Sequence, residues 1–168
     1  MPSLDDRLAA LFDARDRADM APTIAALLEV LAEHPDDARV LYEVGGAYDT
    51  AGEEETAAGY YERALDRGLD GETLRKCLLQ YGSTLRNLDR FDDSLAVLDR
   101  ARAAFPESES VQTWHALSLH AAGRSDAAVA ELMELVADRL RTPDLLRYEP
   151  ALRGNAEYLR SLDGARNV

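Results

Sequence analysis

Isoleucine occurs once and valine eight times in 168 residues, against 28 alanines and 26 leucines. The apolar share is therefore made of helix formers, and β-branched residues are too scarce to build a sheet, which excludes a mainly β fold. A single cysteine, Cys77, has no partner for an intramolecular disulfide, so nothing in the composition asks for an oxidising compartment. Glycine and proline together number 16, and no stretch is dense enough in either to read as a disordered linker. No apolar run approaches the roughly 18 residues of a membrane span. The opening segment MPSLDDRLAALFDARDR is acidic where a secretory signal is basic. A soluble, cytoplasmic, single-domain protein is expected. Lysine is nearly missing too: Lys76 stands alone among 19 basic residues, and with the alanine excess this points to a GC-rich, bacterial source.

Acidic residues number 32, leaving a net charge of −13. A field of that sign repels phosphate backbones and anionic lipid, so neither nucleic acid nor a membrane is an expected partner.

What the chain does have is self-similarity. The segment from Leu41 aligns with that from Leu78 and with a third from Val111. Small residues recur at Gly45, Gly82 and Ala116, and large ones at Tyr48, Leu85 and Leu119. The second half of each copy brings Ala57, Ser94 and Ala128, then Tyr61, Leu98 and Leu132. Ala64 and Ala101 complete the first two, and Pro106 closes the second. Two helices cross closely only where side chains are small, so Gly45 and Gly82 are expected to lie opposite Ala57 and Ser94. The large positions, Leu132 included, are expected in the core.

This pattern resembles the tetratricopeptide repeat, a unit of about 34 residues folded as two antiparallel helices. The resemblance implies an all-α fold: an α-solenoid of stacked helix pairs winding into a right-handed superhelix, with capping helices at its C-terminal end. Position one falls at Ala38, Arg75 and Glu109, giving repeats at 38–71, 75–108 and 109–141. A degenerate repeat at 4–36 precedes them, and 142–163 forms the capping helices, opened by Thr142 and Pro143. The first step is three residues longer than the second, an insertion expected in the turn around Gly68 and Gly71. Departures from the pattern are Leu69 for proline, Asp89 for glycine, and Gln112 and His115 at apolar positions. Asp36, Ser108 and Ser125 read as helix N-caps, and Gly52 and Gly123 as helix-ending glycines.

Chemistry-bearing motifs are missing. His34, His115 and His120 show no metal-ligand spacing, and no phosphate loop, nucleophile elbow or paired-cysteine motif occurs. His115 reads as a hydrogen-bonded packing residue. No catalytic residue, cofactor or metal is expected, and the protein is not read as an enzyme. The resemblance instead implies a concave groove lined by the first helix of each pair. Its lining is expected from Arg39, Tyr42, Gly46, Asp49 and Thr50, then from Lys76, Leu79, Ser83, Arg86 and Asn87, and then from Thr113, Trp114, Leu117 and His120. Arg39, Lys76 and Arg86 suit an acidic or C-terminal carboxylate group, and Tyr42, Trp114 and Leu117 offer apolar anchors. The expected function is a protein-interaction scaffold that binds a peptide or protein segment in the groove. Two alternatives stand beside it: a self-associating module, as a homodimer, and a ligand-sensing accessory subunit of an enzyme.

Overall fold

The computed structural model describes the backbone of residues 2–166 and the side chains of residues 2–163. Over these residues the chain is all helix and turn: α1 (Leu4–Ala14), α2 (Ala21–Glu33), α3 (Ala38–Thr50), α4 (Glu54–Asp66), α5 (Gly71–Asn87), α6 (Phe91–Ala104), α7 (Glu109–Ala121), α8 (Ser125–Arg139) and α9 (Pro143–Arg166). One isolated bridge, Asp16 to Asp19, shapes the turn between α1 and α2. The helices form two compact units, residues 1–88 with α1–α5 and residues 89–168 with α6–α9. Within each unit every helix packs against the next along the chain.

The three additional residues of the first repeat do not lie in a turn. The turns before α3, α5 and α7 are each four residues long, 34–37, 67–70 and 105–108. The first helices α3 and α7 have 13 residues but α5 has 17. The insertion is therefore one added helical turn at the start of α5, entered through Gly71 at φ +49°. A turn of helix keeps its backbone donors and acceptors paired, whereas a longer loop would leave them to solvent.

The three-residue turns 51–53, 88–90 and 122–124 each carry a left-handed residue in the middle. Gly52 and Gly123 have φ +78° and +79°, and both helix ends are closed by paired backbone bonds. Glu53 N donates to Tyr48 O and Gly52 N to Asp49 O; Arg124 N donates to Leu119 O and Gly123 N to His120 O. The third such turn carries Asp89, which adopts φ +58°. Aspartate tolerates that region better than most residues, which explains how the departure from glycine is accommodated. Asp37, rather than Asp36, caps α3, accepting from Arg39 N and Val40 N; Asp36 pairs with Arg67 at 2.7 Å instead. Ser108 caps α7 as expected. Ser125 is the first residue of α8, one place past the cap, and its hydroxyl lies 3.0 Å from His120 Nδ1. The tail forms one continuous helix, α9, which runs through Pro150.

In unit 1 the core gathers Leu8, Met20, Leu27, Val30, Val40, Val44 and Ala47. Beside it lies Tyr61, with no exposed surface, its ring centroid 6.2 Å from Tyr42 and 6.3 Å from Tyr81. Gly45 lies beneath it: a β-carbon there would fall 2.9 Å from Tyr61 Cδ1 and 3.3 Å from Tyr60 Cβ. The residue that demands glycine is thus a tyrosine ring rather than the small Ala57.

In unit 2, Leu95, Ala116, Leu119, Ala127 and Ala128 form the core, and the Ser94 and Ser118 hydroxyls meet at 2.9 Å. His115 is buried, with Nδ1 2.7 Å from Glu131 Oε2, in keeping with a hydrogen-bonded packing role. Leu132 departs from the pattern: it is 38% exposed, on the outer face of α8 rather than in the core. The small Ala127, Ala128 and Ala130 take the buried face of α8 instead.

Gly45→Val is expected to lower stability by about 1–3 kcal/mol, because Tyr61 is hemmed in by two other rings and cannot retreat. Gly59→Ala, in the interior of α4 with nothing within 4 Å of its β-carbon position, is expected to raise it by up to about 1 kcal/mol. Thermal unfolding of the two variants beside the parent measures both.

Candidate functional site

The first helices α1, α3 and α5 of unit 1 border two adjoining cavities. One, of about 160 Å³, has an apolar floor of Leu8, Met20, Leu27 and Ala47 and a polar rim that includes Arg17, Thr23, Glu43, Thr50 and Gln80. The other, of about 410 Å³, is bordered by Leu8, Phe12, Asp13, Arg39, Tyr42, Glu43, Thr73, Lys76 and Gln80. Leu8, Phe12, Tyr42, Glu43 and Gln80 border both. Of these Phe12 is 52% exposed although it is a large aromatic. The Arg15 guanidinium lies 3.4 Å from its ring centroid and donates to the Phe12 carbonyl, which braces the ring. Tyr42 is only 8% exposed, so it forms floor rather than rim.

Helical spacing accounts for this convergence. Leu8 and Phe12 are four apart on α1, as are Tyr42 and Gly46 on α3 and Lys76 and Gln80 on α5, so each pair shares one helix face. Tyr61 joins α3 to α5 from below: its hydroxyl lies 3.3 Å from Asp49 Oδ2 and 3.4 Å from Gln80 Oε1. The Thr84 hydroxyl donates to Asp49 Oδ1 at 3.1 Å.

Burial dominates the electrostatics. It pushes the Glu43 carboxyl above its ordinary range, against the pull of Arg39, Lys76 and Arg15. It raises Asp49 likewise, against the hydrogen bonds from Thr84 and Tyr61. The buried Tyr42 and Tyr61 phenols are pushed far up and stay protonated.

The cations of the expected groove are largely engaged. Arg39 donates to Asp5 at 2.5 Å, and Lys76 lies 3.8 Å from Glu72. Arg86 donates to Ser83 Oγ at 3.0 Å, while its Nη1 is buried without a hydrogen-bond partner, and burial lowers its pKa.

Of the residues expected to line the groove, Arg39, Tyr42 and Lys76 come together at the cavities, with Gly46 and Thr50 beside them. Leu79 is half-buried, and Asn87 is exposed and donates to Glu54. In unit 2, Thr113 bonds back to the Glu109 carbonyl, Trp114 is half-buried, and Leu117 and His120 are exposed. Sequence reasoning missed Leu8, Phe12, Arg15, Glu43 and Gln80. The first three occupy groove positions 5, 9 and 12 of the degenerate repeat counted from Leu4. Glu43 and Gln80 both hold position 6, which the pattern assigns to the groove edge.

Among the described residues no cluster of three or more histidine, cysteine, aspartate or glutamate side chains is arranged to hold a metal, and no helix is long and apolar enough to cross a membrane. Paired helices, left-handed turn residues and a glycine beneath an aromatic ring define a helix-hairpin repeat protein. The Tetratrico peptide repeat family model matches residues 38–159, and the chain belongs to that family. Among solved structures the chain is similar to YrrB, described as a TPR protein with an unusual peptide-binding site. The TM-score is 0.59 at 14% identity, over 92% of this chain and 88% of that one. No curated protein matches its sequence.

A carboxyl with a raised folded-state pKa is harder to ionise in the folded chain than in the unfolded one. Its contribution therefore favours folding at low pH and is lost as pH rises through the raised value. Glu43→Gln removes that loss. The melting temperature of the variant relative to the parent is expected to be higher at about pH 7 than at about pH 4, as calorimetry at the two pH values will read.

Proposed function

We propose that the protein is a non-catalytic interaction module that holds a peptide or a segment of a partner protein against its first helices. The cavities of unit 1 serve as the anchoring site in this reading. The observation that carries it is Phe12: a large aromatic left half in solvent beside an apolar floor of the volume of one side chain. Aromatic anchors beside pockets of this kind carry most of the energy at protein interfaces. The description of YrrB as having a peptide-binding site supports a peptide as the class of ligand. The test is selection from a randomised peptide library on the folded chain, followed by titration of the selected peptides. Phe12→Ala is expected to weaken binding by about 2 kcal/mol while leaving helix content unchanged. Failure to select any peptide, or binding indifferent to Phe12, contradicts the reading.

One observation favours a second reading, self-association. Val129, Leu132, Val136 and Leu140 are 47%, 38%, 37% and 53% exposed and recur at helical spacing along α8 and its C-cap. Such a stripe suits an isologous contact. Under this reading light scattering gives a dimer mass that Leu132→Glu reduces to a monomer; a parent monomeric at high concentration removes it.

A further inference from the structure

Glu43 is the charged residue that borders both unit 1 cavities, and the proposed peptide anchor does not use its chemistry. It lies at the boundary of both cavities, is half-buried, and among the described residues receives no hydrogen bond or ion pair. A carboxylate drawn partly out of water without a donor costs free energy that a bound N–H would offset. The three cations whose charge acts on Glu43 are held by other groups, Arg39 by Asp5, Lys76 beside Glu72, and Arg15 on the ring and carbonyl of Phe12, while Arg17 borders only the smaller cavity.

Resting on the peptide-binding reading above, we propose that the cleft takes a basic side chain of the bound segment, lysine or arginine, with its charged end on the Glu43 carboxylate and its methylene stem along Leu8, Phe12 and Tyr42. Three observations converge on a basic rather than an acidic side chain. First, the carboxylate is unpaired whereas Arg39 and Lys76 have acidic neighbours, and the free Nη1 of Arg86 is itself buried and presents no surface. Second, a chain of net charge −13 draws cations toward its surface. Third, the walls are aromatic and aliphatic, the surface on which long basic side chains lay their stems. An ammonium or guanidinium brings a full opposite charge to the carboxylate as well as its N–H donors, so it is favoured over a neutral backbone amide.

The experiment selects peptides from a randomised library on the parent chain and on Glu43→Gln. Synthetic versions of each selected peptide are then titrated, with the basic position intact or replaced by glutamine. The parent is expected to select a basic residue beside an apolar one. Replacing that residue is expected to weaken binding roughly tenfold or more. Glu43→Gln should weaken the intact peptide by the same factor and leave the glutamine peptide unaffected. Glu43→Gln stays folded, which its melting curve will show, because the substitution removes an unpaired charge and no bond. Selected peptides that carry an acidic residue at that position, or basic ones indifferent to Glu43→Gln, overturn the inference while leaving the peptide-binding reading intact. A parent that selects nothing overturns both.

Discussion

A glycine beneath a tyrosine ring sets the geometry of unit 1. Gly45 gives the Tyr61 ring room that a β-carbon would take away, so α3 and α4 approach at their crossing as closely as an aromatic ring in contact allows. The same ring extends its hydroxyl toward Asp49 on α3 and Gln80 on α5, and lies in tilted contact with Tyr42 and Tyr81. One fully buried side chain therefore fixes three helices. Two residues bordering the cleft, Tyr42 and Gln80, are direct neighbours of that ring. The polar groups that Tyr61 brings inside are mutually supplied, since Asp49 also accepts from Thr84. A partly satisfied network at this depth would cost more than it contributes.

The distribution of charge in unit 1 is a local matter that net charge alone does not describe. Arg39 and Asp5 hold the same pattern position in successive repeats, and their pairing ties α1 to α3. Lys76 and Arg75 share Glu72 on the turn of helix that the insertion adds to α5. Exposed pairs of this kind contribute little stability. What they decide is which charge is left over. At the boundary shared by the two cavities that is a half-buried glutamate, although the residues readable from the pattern there are arginine and lysine.

Most of the fold was legible because repeat positions are spaced by geometry that any sequence must obey. Small residues at Gly45 and Ala116, large ones at Tyr61 and Leu98, and glycines at Gly52 and Gly123 each occupy the place that the spacing assigns. Errors arose where two physical solutions serve one purpose. An insertion can lengthen a turn or a helix, and α5 takes the helix. Asp36 and Asp37 are both competent caps, and only the chain direction into α3 selects the second. Leu132 has the right character for the core, but the alanines of α8 fill that face first, leaving leucine outside. The site was legible in part. Tyr42, Arg39 and Lys76 follow from the groove positions, whereas Glu43 and Gln80 fall at the edge position, and Phe12 stands at groove position 9 of a first repeat whose small and large pattern residues are degenerate.

The central claim is that the face built by α1, α3 and α5 is where a partner segment is held. Backbone amide shifts of the isotope-labelled chain, followed as a selected peptide is added, test it most directly. The account predicts that the residues whose signals move cluster around Leu8, Phe12, Tyr42, Glu43 and Gln80. Movement confined to the outer face of α8, around Val129, Leu132 and Val136, would contradict it.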